Sequence, residues 1–269
     1  MSISKLRSTD LGTLWTPFDV PPVTLVGANN EEMDNPAGFR NSWTFFAGTG
    51  TANNGAITAE DNAPATNPNW NIDTTVRGAL VLQPVDNSWF GMYRAHALTS
   101  TDDATFIAKV SLLYANDTDD RLSIGFSKNT PAAENPDDSI VLQLRRKLAW
   151  ETGSTTNTTM EVRSYRMNSS SAGGEVDTMW PAATAYLAIT QRSGALWAWE
   201  SIDGIGWTKF AGYGGGNNIV SNVNYVWVTV RHNNHANSPG PVGVIHYMRF
   251  ADTAGGSGGR NLYDLGQGL

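Results

Sequence analysis

There is no cysteine in the 269-residue chain, which excludes a disulfide framework and a thiolate zinc site and leaves the redox compartment open. Charge is scarce as well. Lys and Arg total 18 against 25 Asp and Glu, charged residues make up 16% of the chain, and the formal net charge is -7. A sequence-independent grip on nucleic acid needs clustered cations, so this balance argues against nucleic acid as a partner. No apolar run is long enough to span a bilayer. The opening residues, MSISKLRSTDLGTLW, carry two basic side chains but no apolar stretch before a small-residue cleavage site, so they do not read as a signal peptide. Helical apolar periods of about 10–15 residues are also missing, which excludes parallel βαβ units. No Gly-x-Ser-x-Gly elbow occurs, and the Gly-rich run Gly212-Tyr213-Gly214-Gly215-Gly216-Asn217-Asn218 lacks the spacing of a phosphate-binding loop.

What the chain has in abundance is Gly, Asn, Thr and Ser, the residues of turns and neutral outer faces, together with ten Trp. Between the turns the apolar period is two. Phe106–Leu112, Arg121–Phe126, Ser139–Arg145, Met160–Tyr165, Tyr186–Thr190, Tyr225–Val230 and Val244–Phe250 all read as strands, and so do Trp43–Phe46, Gly78–Leu82 and Trp89–Tyr93. Residues 47–77, rich in Asn, Ala and Thr, read as a long surface excursion. The expected fold is an all-β, antiparallel two-sheet jelly-roll sandwich. Residues 1–41, where Pro17, Pro21 and Pro22 forbid a regular helix, form an expected extended N-terminal arm. The sandwich covers 42–252, and 253–269 comprise a Gly-rich linker and a short C-terminal tail.

The order of elements carries a resemblance. A strand at Phe106–Leu113 is followed by Arg121-Leu-Ser-Ile-Gly-Phe-Ser127. Tyr186-Leu-Ala-Ile-Thr190 then turns at Ser193-Gly194 into Trp197-Ala-Trp-Glu-Ser-Ile-Asp-Gly-Ile-Gly-Trp207, and Val244–Phe250 closes the domain. This resembles the concanavalin A-like lectin/glucanase superfamily and is most similar to its laminin G-like jelly rolls, over residues 42–252, most specifically 184–210. The resemblance implies a two-sheet jelly roll in which the first and last strands pair, placing Trp43–Phe46 beside Val244–Phe250. It leaves lectin, glycosidase and structural module open.

Candidate sites follow from residue chemistry. Glu175 and Asp177 in GEVDTMW match the first two positions of the superfamily's Glu-x-Asp-x-Glu strand, but Met179 and Trp180 stand where the third carboxylate belongs. A retaining glycosidase needs two carboxyl groups about 5–5.5 Å apart, and a solvated loop accounts for this stretch better. Asp117, Asp119 and Asp120 crowd one turn with oxygen ligands of the kind calcium takes, but the EF-hand spacing is missing, so a polar hairpin turn is the better account, and no other cofactor is called for. His232 and His235 lack a third metal ligand. His246 alternates with Val244, Met248 and Phe250 and reads as a hydrogen-bonded core histidine. Sugar binding needs exposed aromatic faces, and Trp70, Trp89, Trp150, Trp180 and Trp207 sit near turns where exposure is expected; the competing reading for each is core burial.

Without a complete catalytic set, the chain reads as a non-enzymatic module. Jelly rolls with Pro-bearing arms, no cysteine and Asn/Thr/Gly-rich loops resemble virion proteins of tailed bacteriophages: capsid decoration, head fibre or tail fibre subunits. That resemblance implies location in the virion after assembly in the host cytoplasm and partners among other virion proteins, through the arm and the tail. It also implies an oligomer on the particle and contact with cell-surface glycans. The alternatives are a free carbohydrate-binding lectin, cytoplasmic or released, and a divergent glycoside hydrolase.

Overall fold

The computed structural model describes residues 43–49, 55–56, 70–73, 79–82, 84, 88–98, 104–115, 120–146, 160–168, 171–192, 195–204, 206–210, 223–232 and 241–252. Among them run the strands β1 (Thr44–Thr49), β2 (Gly55–Ala56), β3 (Trp70–Asp73), β4 (Ala79–Leu82), β5 (Ser88–Leu98), β6 (Ala104–Leu113), β7 (Arg121–Ser127) and β8 (Ser139–Arg146). They continue as β9 (Met160–Asn168), β10 (Ser171–Trp180), β11 (Thr184–Arg192), β12 (Ala195–Ser201), β13 (Thr208–Lys209), β14 (Val223–Arg231) and β15 (Val242–Asp252). The arm and the tail lie outside the described residues. Two sheets form, in the orders β10-β9-β8-β7-β14-β5-β1-β2 and β13-β12-β11-β6-β15-β4-β3, and every pairing within them is antiparallel.

Alternation decides which side chains meet between the sheets. From one sheet Phe90, Met92, Leu122, Ile124, Phe126, Ile140, Leu142, Leu144, Val226 and Val228 point inward; from the other come Phe106, Ala108, Val110, Leu187, Ile189, Ile245, Met248 and Phe250. All are buried in one continuous core, as two apolar faces stacked about 10 Å apart require. Glycine matters where two groups approach closely. Opposite Trp227 in the register stands Gly125, and a Cβ there would lie 2.2 Å from the Ile140 carbonyl oxygen and 2.6 Å from the Trp227 ring.

Four sequence expectations need correction. First, the 47–77 excursion contains β2 and β3, strands so short and so rich in Gly, Asn and Asp that alternation does not reveal them. Second, the first and last strands do not pair, because β1 lies beside β5 in one sheet and β15 beside β6 and β4 in the other. Their ends are nonetheless linked, since the Arg94 guanidinium stands 5.2 Å from the Trp43 ring and 4.7 Å from Phe250. Third, GEVDTMW is no loop. It belongs to the edge strand β10, where a bulge between Gly173 and Val176 interrupts the ladder with β9 and obscures the period. Fourth, a bulge between Ile245 and Tyr247 shifts the phase of β15, so His246 leaves the buried layer that Met248 and Phe250 keep.

Candidate functional site

Each sheet has an outer face, and the two differ in kind. On the eight-stranded sheet the outer rows run Tyr93, Trp227, Gly125, Val141, Tyr165, then Thr229, Ser123, Gln143, Arg163, then Arg231, Arg121, Arg145, Glu161. Such polar side chains would face water on an open sheet, yet Ser123, Gln143, Arg145, Glu161 and Thr229 are buried. Part of the cover is the connection 128–138, which leaves at Ser127, returns at Ser139 and reaches back along the face between them. Its ends are held by Lys128 N–H donating to the Asp138 carbonyl (3.0 Å) and Ser139 Oγ donating to the Pro136 carbonyl (2.5 Å). At its centre Glu134 accepts from Arg121 (2.5 Å) and Arg231 (2.7 Å), while Thr229 Oγ1 donates to the Glu134 carbonyl (3.2 Å). Burial pushes the Glu134 carboxyl up, but Arg121 and Arg231 more than offset it and leave it below the usual carboxylate range. Beneath lie an Arg145–Glu161 ion pair and Gln143 Nε2, which donates to Ser123 Oγ (3.0 Å) and Tyr165 Oη (2.8 Å). These polar groups form a buried layer beside an apolar cluster of Val141, Tyr165 and Trp227, with half-buried Tyr93 packed against it.

The outer face of the seven-stranded sheet carries half-buried rings and cations beside buried residues. One row places Tyr247, Lys109, Tyr186 and Ser201 on β15, β6, β11 and β12; the next places Arg249, Ile107, Ala188, Trp199 and Lys209. Ile107, Ala188 and Trp199 form a buried apolar floor, with half-buried Trp207 and Tyr247 packed against it. Trp199 is fixed by its Nε1 donating to Thr190 Oγ1 at 2.9 Å. Cations lie over the rings: Lys109 Nζ is 5.4 Å from the Tyr186 centroid, the Arg249 guanidinium 4.1 Å from Tyr247 and Lys209 Nζ 6.0 Å from Trp199. At one end His246 Nε2 meets Ser111 Oγ at 2.9 Å and Ser111 Oγ meets Thr184 Oγ1 at 2.7 Å. Burial, aided by Lys109, holds the His246 imidazole below its ordinary pKa and so neutral at pH 7.

The hairpin AWESIDGIGWTKF builds one border of this face. Ser201 Oγ accepts from Gly204 N–H (2.9 Å) and Asp203 Oδ1 from Gly206 N–H (2.9 Å). Gly204 takes φ 75°, the left-handed region that favours glycine, and a Cβ there would come within 2.8 Å of the Tyr186 ring. The turn therefore rests on Tyr186 and delivers Trp207 to the floor, while Phe210 enters the core.

Of the tryptophans singled out by sequence, Trp207 lies half-buried on this face. Trp89 and Trp180 correct the expectation of exposure, at 6% and 7%: Trp89 packs edge-on against Phe46 (5.0 Å), and Trp180 joins the inner core with its Nε1 donating to the Thr184 carbonyl (2.8 Å). Proximity to a turn is a weak guide because a strand end still has an inner face. Trp70 falls on β3, but its side chain lies outside the described residues, and so does Trp150 altogether. Asp120 is buried and meets His232 Nδ1 at 3.1 Å, whereas Asp117, Asp119 and His235 are outside the described residues. Among those described, no three His, Asp or Glu side chains gather as metal ligands. Asp177 stands on β10 opposite Arg163, and the Glu175 and Asp177 side chains are not among those described. Sequence reasoning missed Tyr186 and Tyr247, whose signal was their outward phase on the two strands that flank β6. It also missed Tyr114, which is 68% exposed and holds φ 56°, a strained backbone for a bulky residue at the end of β6.

The architecture matches solved structures. The GH43 BlXynB protein from Bacillus licheniformis superposes with a TM-score of 0.55 at 11% identity, over 83% of this chain. This chain spans 39% of the length of that protein. The carbohydrate recognition domain of Emp46p in its potassium-bound form gives 0.51 at 11% identity, over 82% of this chain and 94% of that one. Lotus tetragonolobus seed lectin gives 0.51 at 10% identity, over 83% and 97%. No protein-family profile and no curated protein matches the chain. The fold is a concanavalin A-like jelly-roll sandwich. Lectins and GH43 proteins share it, so the architecture alone does not choose between binding and catalysis.

Proposed function

We propose that the sandwich is a non-catalytic glycan-binding module whose binding surface is the outer face of the seven-stranded sheet. The observation that carries this reading is the half-buried set Tyr186, Tyr247 and Trp207 on a rigid floor, bordered by Ser111, Thr184 and His246. A pyranose has an apolar C–H face and a rim of hydroxyls, so it asks for flat rings flanked by short polar groups held on fixed elements. The described side chains of the rows on β15, β6, β11, β12 and β13 include no carboxylate, so a retaining carboxylate pair has no seat among them. A carbohydrate recognition domain and a seed lectin among the structural neighbours add support through the fold.

We place the module in the virion of a tailed bacteriophage, as a decoration or fibre subunit with residues 1–41 and 253–269 as anchors; composition and the four prolines of the arm support that setting. A glycan array probed with the whole chain and with Tyr186→Ala and Tyr247→Ala tests the binding reading. Saturable signals that fall about tenfold in the variants are expected, and a chain that binds no glycan sinks the reading. Electron microscopy of the native assembly tests the setting.

A further inference from the structure

We propose that the glycan bound on this face is acidic, a saccharide bearing carboxylates, with Lys109 as the group that reads the charge. This rests on the glycan-binding reading above and adds the chemical class of the ligand.

The chain as a whole is acidic, at -7, but its charges are not spread evenly. On the outer face of the seven-stranded sheet, the described side chains of the rows on β15, β6, β11, β12 and β13 supply Lys109, Lys209 and Arg249 and no Asp or Glu; Asp73 stands in an outer-face position on the edge strand β3, in register with Ala79. His246 contributes no charge at neutral pH. At the border, Asp203 is turned to its own turn, accepting from Ser201 Oγ (3.1 Å) and Gly206 N–H (2.9 Å). Three cations on one face of an acidic protein make a local field of sign opposite to the net charge, which favours an anionic ligand there.

Lys109 has the position that matters. In the register it stands between Tyr247 and Tyr186, one strand from each, so the two rings are separated by roughly two strand spacings, about 10 Å. Sugars lying on the tyrosines thus hold a substituent over the ammonium between them. A Lys ammonium is a compact point charge with three rotatable donors, suited to a carboxylate whose approach is set by ring stacking elsewhere. Its place over Tyr186 keeps it on the face instead of extended into solvent.

The test is isothermal titration of the whole chain with two matched probe pairs, tetragalacturonate against its methyl ester and sialyllactose against lactose. At low salt the charged member of at least one pair is expected to bind about tenfold more tightly than its neutral counterpart. That advantage falls to less than twofold at 0.5 M salt, where the Debye length drops to roughly 4 Å. Lys109→Gln reduces the charged-ligand affinity about threefold or more and lowers the neutral one by a smaller factor, so the preference shrinks, while Lys109→Arg restores it. Equal affinity for both members of each pair overturns the inference and leaves the glycan reading standing. Binding of neutral array glycans only, with Lys109→Gln silent, also overturns it. Absence of binding to every glycan on the array removes the underlying reading instead.

Discussion

Glu200 projects from β12 into the space between the sheets, in register with core Leu187 on one side and Thr208 on the other. It is 5% exposed, Oε2 is buried with no hydrogen-bond partner, and Thr178 on β10 of the opposite sheet bonds the carboxyl. Burial pushes its pKa from 4.5 up to about 7, the Thr178 contact pulling modestly the other way. Because the folded state holds the proton more tightly than the unfolded chain, this group's stabilisation is complete below about pH 4.5. It is lost as pH rises through about 7. Such a rise corresponds to at most about 3 kcal/mol, and relaxation and water penetration on ionisation lower that to roughly 1–2 kcal/mol. Glu200→Gln keeps the shape and an acceptor for Thr178 but cannot ionise. Urea unfolding at several pH values is the assay, with m compared to confirm that only stability changes. The variant is expected to match the wild type near pH 5 and to exceed it by about 1–2 kcal/mol at pH 8, a gain of roughly 2–8 °C in Tm. A difference that does not vary with pH, or a wild type more stable at pH 8, refutes the reasoning.

Glu134→Gln removes the partner of both Arg121 and Arg231 under the 128–138 connection, and a loss of about 2–3 kcal/mol is expected by thermal unfolding. The Glu134 carboxyl lies below the usual range, so its contribution is present above an ordinary carboxylate pKa and lost as pH falls through the lower folded value. The wild type, but not the variant, should show that acid-side loss. Gly125→Ala drives a methyl group into the Ile140 carbonyl and the Trp227 ring, and denaturant unfolding should register a loss of several kcal/mol or an insoluble product. Asp120→Ala removes a partner of the buried His232 imidazole and is expected to cost about 1–3 kcal/mol by the same measurement. Trp207→Ala, on a ring only half-buried, should cost little stability yet lower glycan affinity several-fold by titration.

How much of this was legible in the sequence depends on which physical signal each feature leaves. Long strands such as Phe106–Leu112 and Tyr225–Val230 alternate cleanly because one face is core, and they appear where alternation puts them. The Asp203-Gly204 hairpin was legible because its backbone demands a particular residue. β10 was hidden by Ser and Gly at its start and by a bulge that breaks the period, and the bulge in β15 misdirected His246 in the same way. For the site, alternation within one strand says that a ring points outward but not which sheet it decorates or what lies opposite. Tyr247, Lys109 and Tyr186 become neighbours only through the order β15-β6-β11, which no local pattern encodes. Burial was the other blind spot. Trp89 and Trp180 sit near turns as exposed rings do, and Gln143 and Arg145 have the polarity of solvent-facing residues, yet all four are enclosed by packing from elsewhere in the chain.

The central claim is that the outer face of the seven-stranded sheet is where glycan binds. Protein carrying 13C-labelled tyrosine, titrated with the strongest array ligand and followed by aromatic NMR, reports on this directly. Tyr186 and Tyr247 lie on that face, while Tyr93 and Tyr225 stand on the opposite sheet with their rings 5.8 Å apart. The resonances of Tyr186 and Tyr247 are expected to shift saturably while those of Tyr93 and Tyr225 stay fixed. Shifts confined to Tyr93 and Tyr225, or saturable binding that moves none of the four, contradict the account.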